Sequence, residues 1–143
     1  MTKHWAKAPL EKAISKGWMS KVEDKFAPDK VVYVEELLAL LDTKDPGFKA
    51  DSLDKLLDQY AIQKSFVLNR QSAALILNAY AKETGKAIPA NLVQISDEAA
   101  LAQWVKDPVK AVLALGWLSP QAGAFNPANQ ITRGELAVIA DRI

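Results

Sequence analysis

The sequence predicts an all-α chain built from a helix–loop–helix unit used three times, on three observations. The first is an internal repeat. At an offset of 99 positions, Trp5, Lys7, Pro9, Gly17, Trp18, Ser20, Phe26, Pro28, Glu36 and Leu37 meet Trp104, Lys106, Pro108, Gly116, Trp117, Ser119, Phe125, Pro127, Glu135 and Leu136. An ordered, gap-free match of this kind marks one supersecondary unit used more than once, and the stretch between the two copies has room for a third. The second observation is apolar spacing of three and four residues, as in Leu53, Leu56, Leu57 and Tyr60 or in Leu136, Ile139, Ala140 and Ile143. The third is punctuation. Thr132 followed by Glu135 is a capped helix start, and Gly17 and Gly116 follow apolar-periodic runs as C-terminal caps.

In chain order, Trp5, Leu10, Ala13 and Ile14 have helical spacing, with Pro9 tolerable in a first turn and Gly17 closing the helix. A polar connection over 20–25 leads to Phe26 and Pro28, where proline blocks helix. The second helix resumes from Val32 through Leu41, but it opens with Tyr33 and Val34 where the last copy has Thr132 and Arg133. The triplet of Asp45, Pro46 and Gly47 predicts a turn, and residues 51–60 form the first helix of the middle copy. Its second helix runs from Asn69 to about Lys82 and closes at Gly85; Asn69 replaces the capping threonine, Arg70 matches Arg133, and Ser72 stands for Glu135. After a linker over 86–94, Ser96, Asp97 and Glu98 make a helix start for the third copy. Pro108 inside that pattern predicts a kink or two short helices before Gly116. The boundaries that follow are one domain over 1–143, with motifs at 1–44, 45–90 and 91–143.

Composition narrows the function. With 143 residues, half of them hydrophobic, the chain can bury one substantial core. A formal charge of +1 without a basic stripe gives no electrostatic case for nucleic acid or an anionic membrane. The absence of cysteine excludes disulfides and thiolate metal sites. No apolar run approaches the roughly 20 residues of a membrane span, and the first residues are not a signal peptide, so an exported protein would be represented here by a mature fragment. His4 is the only histidine, and the adjacent Glu35 and Glu36 diverge by about 100° on a helix. No catalytic residue, metal set or cofactor site is expected, and the chain does not read as an enzyme.

Arg133 occupies the first turn of the last helix, beside the positive end of the dipole, where a cation gains nothing. Either it serves a solvated or intramolecular role, or it and the helix start together hold an anion; Arg70 offers the same geometry in the middle copy. Thr132, Glu135 and Asn69 read as capping residues beside that place.

His4 with Trp5, the Gly17 and Trp18 and Gly116 and Trp117 pairs, Phe26 with Pro28, Phe125 with Pro127, and above all Ile131, Thr132, Arg133, Gly134, Glu135, Leu136 and Ala137 resemble the S-layer homology family. Asn69 to Ser72 in the middle copy and Ile95, Ser96 and Asp97 ahead of Trp104 are similar to it too. The resemblance implies three tandem motifs in a pseudo-three-fold arrangement around a central helical bundle. It implies grooves between motifs that bind secondary cell-wall polymers, often pyruvylated sugars, and hold surface proteins on the cell without a covalent bond. The partner would be a bacterial cell-wall polysaccharide, with other surface-layer domains as further partners, and the location extracellular, at the cell wall.

In that setting a guanidinium at a helix start is a bidentate receptor for a pyruvyl carboxylate, so Arg133 and Arg70 are the expected anion ligands, on the surface. Trp104 and Trp5, at the family's helix-one tryptophan, are the expected sugar platforms, and Trp18 and Trp117 the expected core. The sequence departs from the family pattern where Val34 replaces the arginine, where the middle copy has no tryptophan in its first helix and its loop over 61–66 lacks Phe-x-Pro, and where Ser119 and Pro120 stand in place of a second glycine in the third copy. At most two grooves carry the full residue set. The alternative is a structural or protein-interaction module of the same fold that has lost glycan binding.

Overall fold

A computed structural model describes residues 5–90 and 93–143; His4 lies outside the described residues. It contains helices α1 (Lys7–Ser15), α2 (Val34–Lys44), α3 (Asp54–Gln59), α4 (Arg70–Glu83), α5 (Gln103–Ala114) and α6 (Arg133–Arg142). No strand forms among the described residues, so the all-α class holds. The chain divides into two compact units, one of residues up to 68 together with 130–143, the other Asn69–Asn129.

In the first unit α1 packs on α6 around buried Ala6, Leu10, Ala13 and Ala137, with Trp18, Met19 and Phe26 laid over this cluster. Gly134 marks the closest approach. A Cβ built there would stand 2.6 Å from Ala6 Cβ and 3.3 Å from the Trp5 ring, so only glycine fits on that face of α6. The ammonium of Lys12 bonds to Asp141, and the Lys44 ammonium caps the Ala140 carbonyl at 2.5 Å while lying 4.1 Å from the centre of the Trp18 ring.

The centre of this unit is a closed ring of backbone bonds. Val32 N–H donates to the Ile131 carbonyl (3.1 Å), Ile131 N–H to Leu68 (2.9 Å), and Leu68 N–H to Val32 (2.8 Å). All three residues are fully buried. Each stands two positions before a second helix of the sequence repeat, and a buried amide here has no water to turn to.

In the second unit α4 packs on α5. Pro108 does not divide α5 as the sequence predicts: a single helix runs through it. Proline removes the bond to the carbonyl four residues back, that of Trp104 near the helix start, and the buried face of Val105, Pro108, Val109 and Val112 keeps the rest together. The helix start expected at Ser96 is instead a three-residue 3-10 turn, Glu98–Ala100, and α5 begins later, at Gln103.

Helix ends follow the sequence reading closely. Gly17, Gly85 and Gly116 all take φ between +72° and +77°, and the residues after them close back onto Ala13, Ala81 and Val112. These are Schellman caps. Thr132 and Asn69 cap α6 and α4 by accepting from the Glu135 and Ser72 amides, and Glu135 accepts from Thr132 N–H in return. The first copy has kept half of this box: without a capping hydroxyl, Tyr33 N–H still donates to the Glu36 carboxylate at 2.7 Å. Replacing Thr132 by alanine is expected to cost about 1 kcal/mol of unfolding free energy, measured by urea denaturation, with helical content unchanged.

Candidate functional site

The three second helices of the repeat begin against a loop, and the geometry is the same each time. At α6 the first two amides, of Arg133 and Gly134, donate to the carbonyls of Lys30 and Pro28. At α4 the amides of Arg70 and Gln71 donate to Asn129 and Pro127. At α2 those of Val34 and Glu35 donate to Phe66 and Lys64. Lys30 and Pro28 stand one repeat length before Asn129 and Pro127, so equivalent helix starts hold equivalent loop atoms. The amides that a helix start would offer an anion are thereby already bonded.

The arginines complete these contacts. Arg133 Nε donates to the Phe26 carbonyl at 3.0 Å and its Nη2 to the Ser20 carbonyl at 2.5 Å. Arg70 does the same one repeat on, to Phe125 at 2.6 Å and to Ser119 at 2.6 Å, and its guanidinium lies 4.7 Å from the centre of the Phe125 ring. Both side chains are buried, at 4% and 3% exposure. This corrects the expectation that they stand on the surface with donors free for a ligand. Burial pushes the Arg133 pKa down, and the nearby Glu36 charge opposes that shift.

What the arginines hold is a small hairpin. Val22 pairs with Lys25, and Gln121 with Ala124, each pair exchanging two backbone bonds. The central residues Glu23 and Asp24, and Ala122 and Gly123, all have φ above +50°, as a type I′ turn requires. After each hairpin the middle residue of Phe-x-Pro is left-handed, Ala27 at φ 46° and Asn126 at φ 57°. Asparagine tolerates that region and alanine does so at some cost, so the third-copy loop is the less strained.

The middle copy has no hairpin. Ala61, at φ 54°, takes the capping glycine's place, Ile62 closes back onto Leu57, and two residues later Lys64 already offers its carbonyl to α2. No carbonyl corresponds to that of Ser20. The helix that meets this loop carries Val34, fully buried, in place of arginine. Arginine is thus present where there is a hairpin to hold, and an apolar side chain fills the place where there is none.

Asp97, which the sequence suggests only as a helix start, is a further holder of the third-copy loop. Its carboxylate accepts from the Phe125 amide at 2.8 Å and the Asn126 amide at 2.9 Å. Burial raises its pKa, but these amide donors and the Arg70 charge outweigh that and leave it below the usual carboxylate range. Phe125 is therefore held at its N–H by Asp97 and at its carbonyl by Arg70. The repeat could not flag this residue, because the offset places its equivalent before the first residue of the chain.

The tryptophans separate as the sequence suggests. Trp5 and Trp104 are exposed, at 61% and 39%, while Trp117 is buried, 6.0 Å from the Tyr80 ring, and Trp18 is half-buried over the first core cluster. The edge of Trp5 reaches the start of α6 at Gly134. Among the described residues no group of His, Asp and Glu side chains is arranged to hold a metal ion, and no helix is long and apolar enough to cross a membrane.

Replacing Arg133 or Arg70 by alanine leaves two loop carbonyls without their donors, and is expected to cost about 2–4 kcal/mol of stability in urea denaturation. Lysine should restore only part, since one nitrogen replaces a fork. For Asp97 the folded-state pKa lies below the unfolded one, so its stabilisation is complete above the unfolded value and is lost as pH falls through the folded value. A series of thermal unfolding midpoints against pH should show a decline below about pH 4 that Asp97→Asn flattens, with on the order of 1 kcal/mol lost at neutral pH.

No curated protein matches the chain. Residues 94–137 match the family model of the S-layer homology domain, a stretch that runs from just before Asp97 through α5, the third-copy hairpin and the first half of α6. Domains of this family are in general non-catalytic modules that anchor proteins to the cell wall by binding its polymers, which implies a place at the cell surface. The sequence at 94–137, with the helix–hairpin–helix it forms, is thus similar to an S-layer homology domain.

Proposed function

We propose that the chain is an anchoring module that binds a secondary cell-wall polymer in grooves between three tandem motifs, residues 1–44, 45–90 and 91–143, set about a pseudo-three-fold axis. The observation that carries this reading is the exposure of Trp5 and Trp104, equivalent residues of two copies, while Trp117 turns inward. An indole partly exposed at the same place in two copies is suited to stacking on the apolar face of a sugar ring. Support for the threefold arrangement comes from the closed ring of Val32, Leu68 and Ile131, and from the repeated loop contacts of α2, α4 and α6.

Arg133 and Arg70 belong to this proposed site as residues that fix its loops, with Thr132, Glu135 and Asn69 fixing the helix starts. Their donors serve loop carbonyls, so a carboxylate on the polymer, such as a pyruvyl group, would be read mainly by other cations. One observation favours a second reading, a structural or protein-interaction module: the amides at these helix starts are used internally.

Calorimetric titration with secondary wall polymer, native and with its pyruvyl groups removed, distinguishes these readings. Binding to the native polymer alone supports a carboxylate-reading anchor. Equal binding to both supports a neutral glycan module, and no binding to either by the folded protein supports the interaction module. If the stacking reading holds, Trp104→Ala and Trp5→Ala each weaken polymer binding by about 3- to 10-fold with the circular dichroism spectrum unchanged.

A further inference from the structure

The loop that closes the start of α6 lies beside Trp5. A Cβ built on Gly134 would stand 3.3 Å from both the Trp5 ring and the Pro28 carbonyl, so ring edge and loop meet at one point of the helix. Two residues on, Lys30 holds the Arg133 amide with its carbonyl and has an exposed side chain. Its ammonium lies 5.7 Å from the centre of the half-buried Tyr33 ring, and no carboxylate among the described residues pairs with it. The adjacent Asp29 has an interaction of its own.

At the start of α4 the frame recurs without charge. Gln71 stands where α6 has Gly134, and Asn129 stands where the first loop has Lys30. Main-chain carbonyls do the holding in both loops, so the side chains at 30 and 129 can differ without cost to the fold. Asn129 Nδ2 donates to Gln121 Oε1 at 3.1 Å. Lys21, Glu23, Asp24, Lys25 and Asp29 of the first loop likewise meet only neutral residues in the third. An indole accepts the apolar face of a hexose and reads no charge, so what borders the ring decides which hexose is retained. An ammonium adds a donor for a carboxylate, whereas carboxamides offer donors and acceptors to hydroxyl and acetamido groups.

We propose that Lys30 is the specificity-determining residue of the Trp5 site, selecting a sugar that carries a carboxylate, and that Asn129 with Gln121 makes the equivalent Trp104 site one for a neutral sugar. The inference rests on the tryptophan-based glycan reading and adds to it that the two sites are not interchangeable.

The test follows the indole N–H signals of Trp5 and Trp104 by NMR, assigned with Trp5→Phe and Trp104→Phe, while the full chain is titrated with methyl glucuronide, methyl glucoside and acetate. The Trp5 signal should saturate at about 2- to 5-fold lower concentration of the glucuronide than of the glucoside, a preference that fades in high salt. The Trp104 signal should show no such preference, and acetate should move neither. Lys30→Asn should remove the preference at Trp5 with the thermal midpoint unchanged, and Asn129→Lys should confer it on Trp104. A preference at Trp5 that survives Lys30→Asn, or two indoles that respond to the sugars alike, would overturn this proposal alone. Silence of both indoles toward both sugars would overturn it together with the glycan reading on which it rests.

Discussion

Three buried amides, those of Val32, Leu68 and Ile131, close a ring in which each donates to the next. No one of these segments could be buried alone, because an extended stretch of main chain leaves polar groups that a helix would have satisfied internally. The ring solves this for three segments from distant parts of the sequence at once, and each bond needs both of its neighbours in place. Two residues beyond Val32 and Ile131 a second helix begins, so within this unit fixing the ring fixes where α2 and α6 start. The loops lay their carbonyls on the three second-helix starts with a register that repeats: Lys30 and Pro28, Asn129 and Pro127, Phe66 and Lys64.

The copies also serve as controls for one another, which gives the arginines their physical meaning. Arg133 and Arg70 each span the two ends of a hairpin, from Ser20 to Phe26 and from Ser119 to Phe125. The loop without a hairpin faces Val34. A guanidinium is suited to this task because its donors lie in one rigid plane and it tolerates desolvation better than an ammonium. The charge is costly to bury, but carbonyl oxygens at both donors and the Phe125 ring against the Arg70 guanidinium offset that cost.

Much of this was legible in the sequence, and the unread part has a common cause. Helix starts and ends are local, so Thr132, Asn69 and the glycines at 17, 85 and 116 announce themselves through neighbours three to five residues away. The exposure of Trp5 and Trp104 against the burial of Trp117 also follows from their places in the repeat. The burial of the arginines is not legible, because their acceptors are main-chain carbonyls, at sequence separations of 107 and 113 for Arg133, and a carbonyl has no residue type to give it away. Asp97 escaped for the same reason, its partners being two amides 28 and 29 residues on. Pro108 misled differently: propensity predicted a break, and the buried face of α5 overrode it.

The occupied helix starts constrain how any anionic polymer can be read. For a carboxylate to reach the amides at the start of α6, the loop carbonyls of Lys30 and Pro28 would have to leave them. Each lost bond forfeits about 1 kcal/mol, and two are lost. Against this, an anion at a helix start gains about 0.3–1 kcal/mol at an exposed site and about 2 kcal/mol where partly buried. The exchange gains at most what it loses, and it would also release the hairpin that Arg133 holds. Recognition on this scaffold must therefore use side chains that the closure leaves facing outward. Among the aromatic ones, Trp5 stands at the start of α6 with its ring edge against Gly134 and most of its surface in water. In the proposed glycan site that outward face of Trp5 is the one a sugar ring would meet.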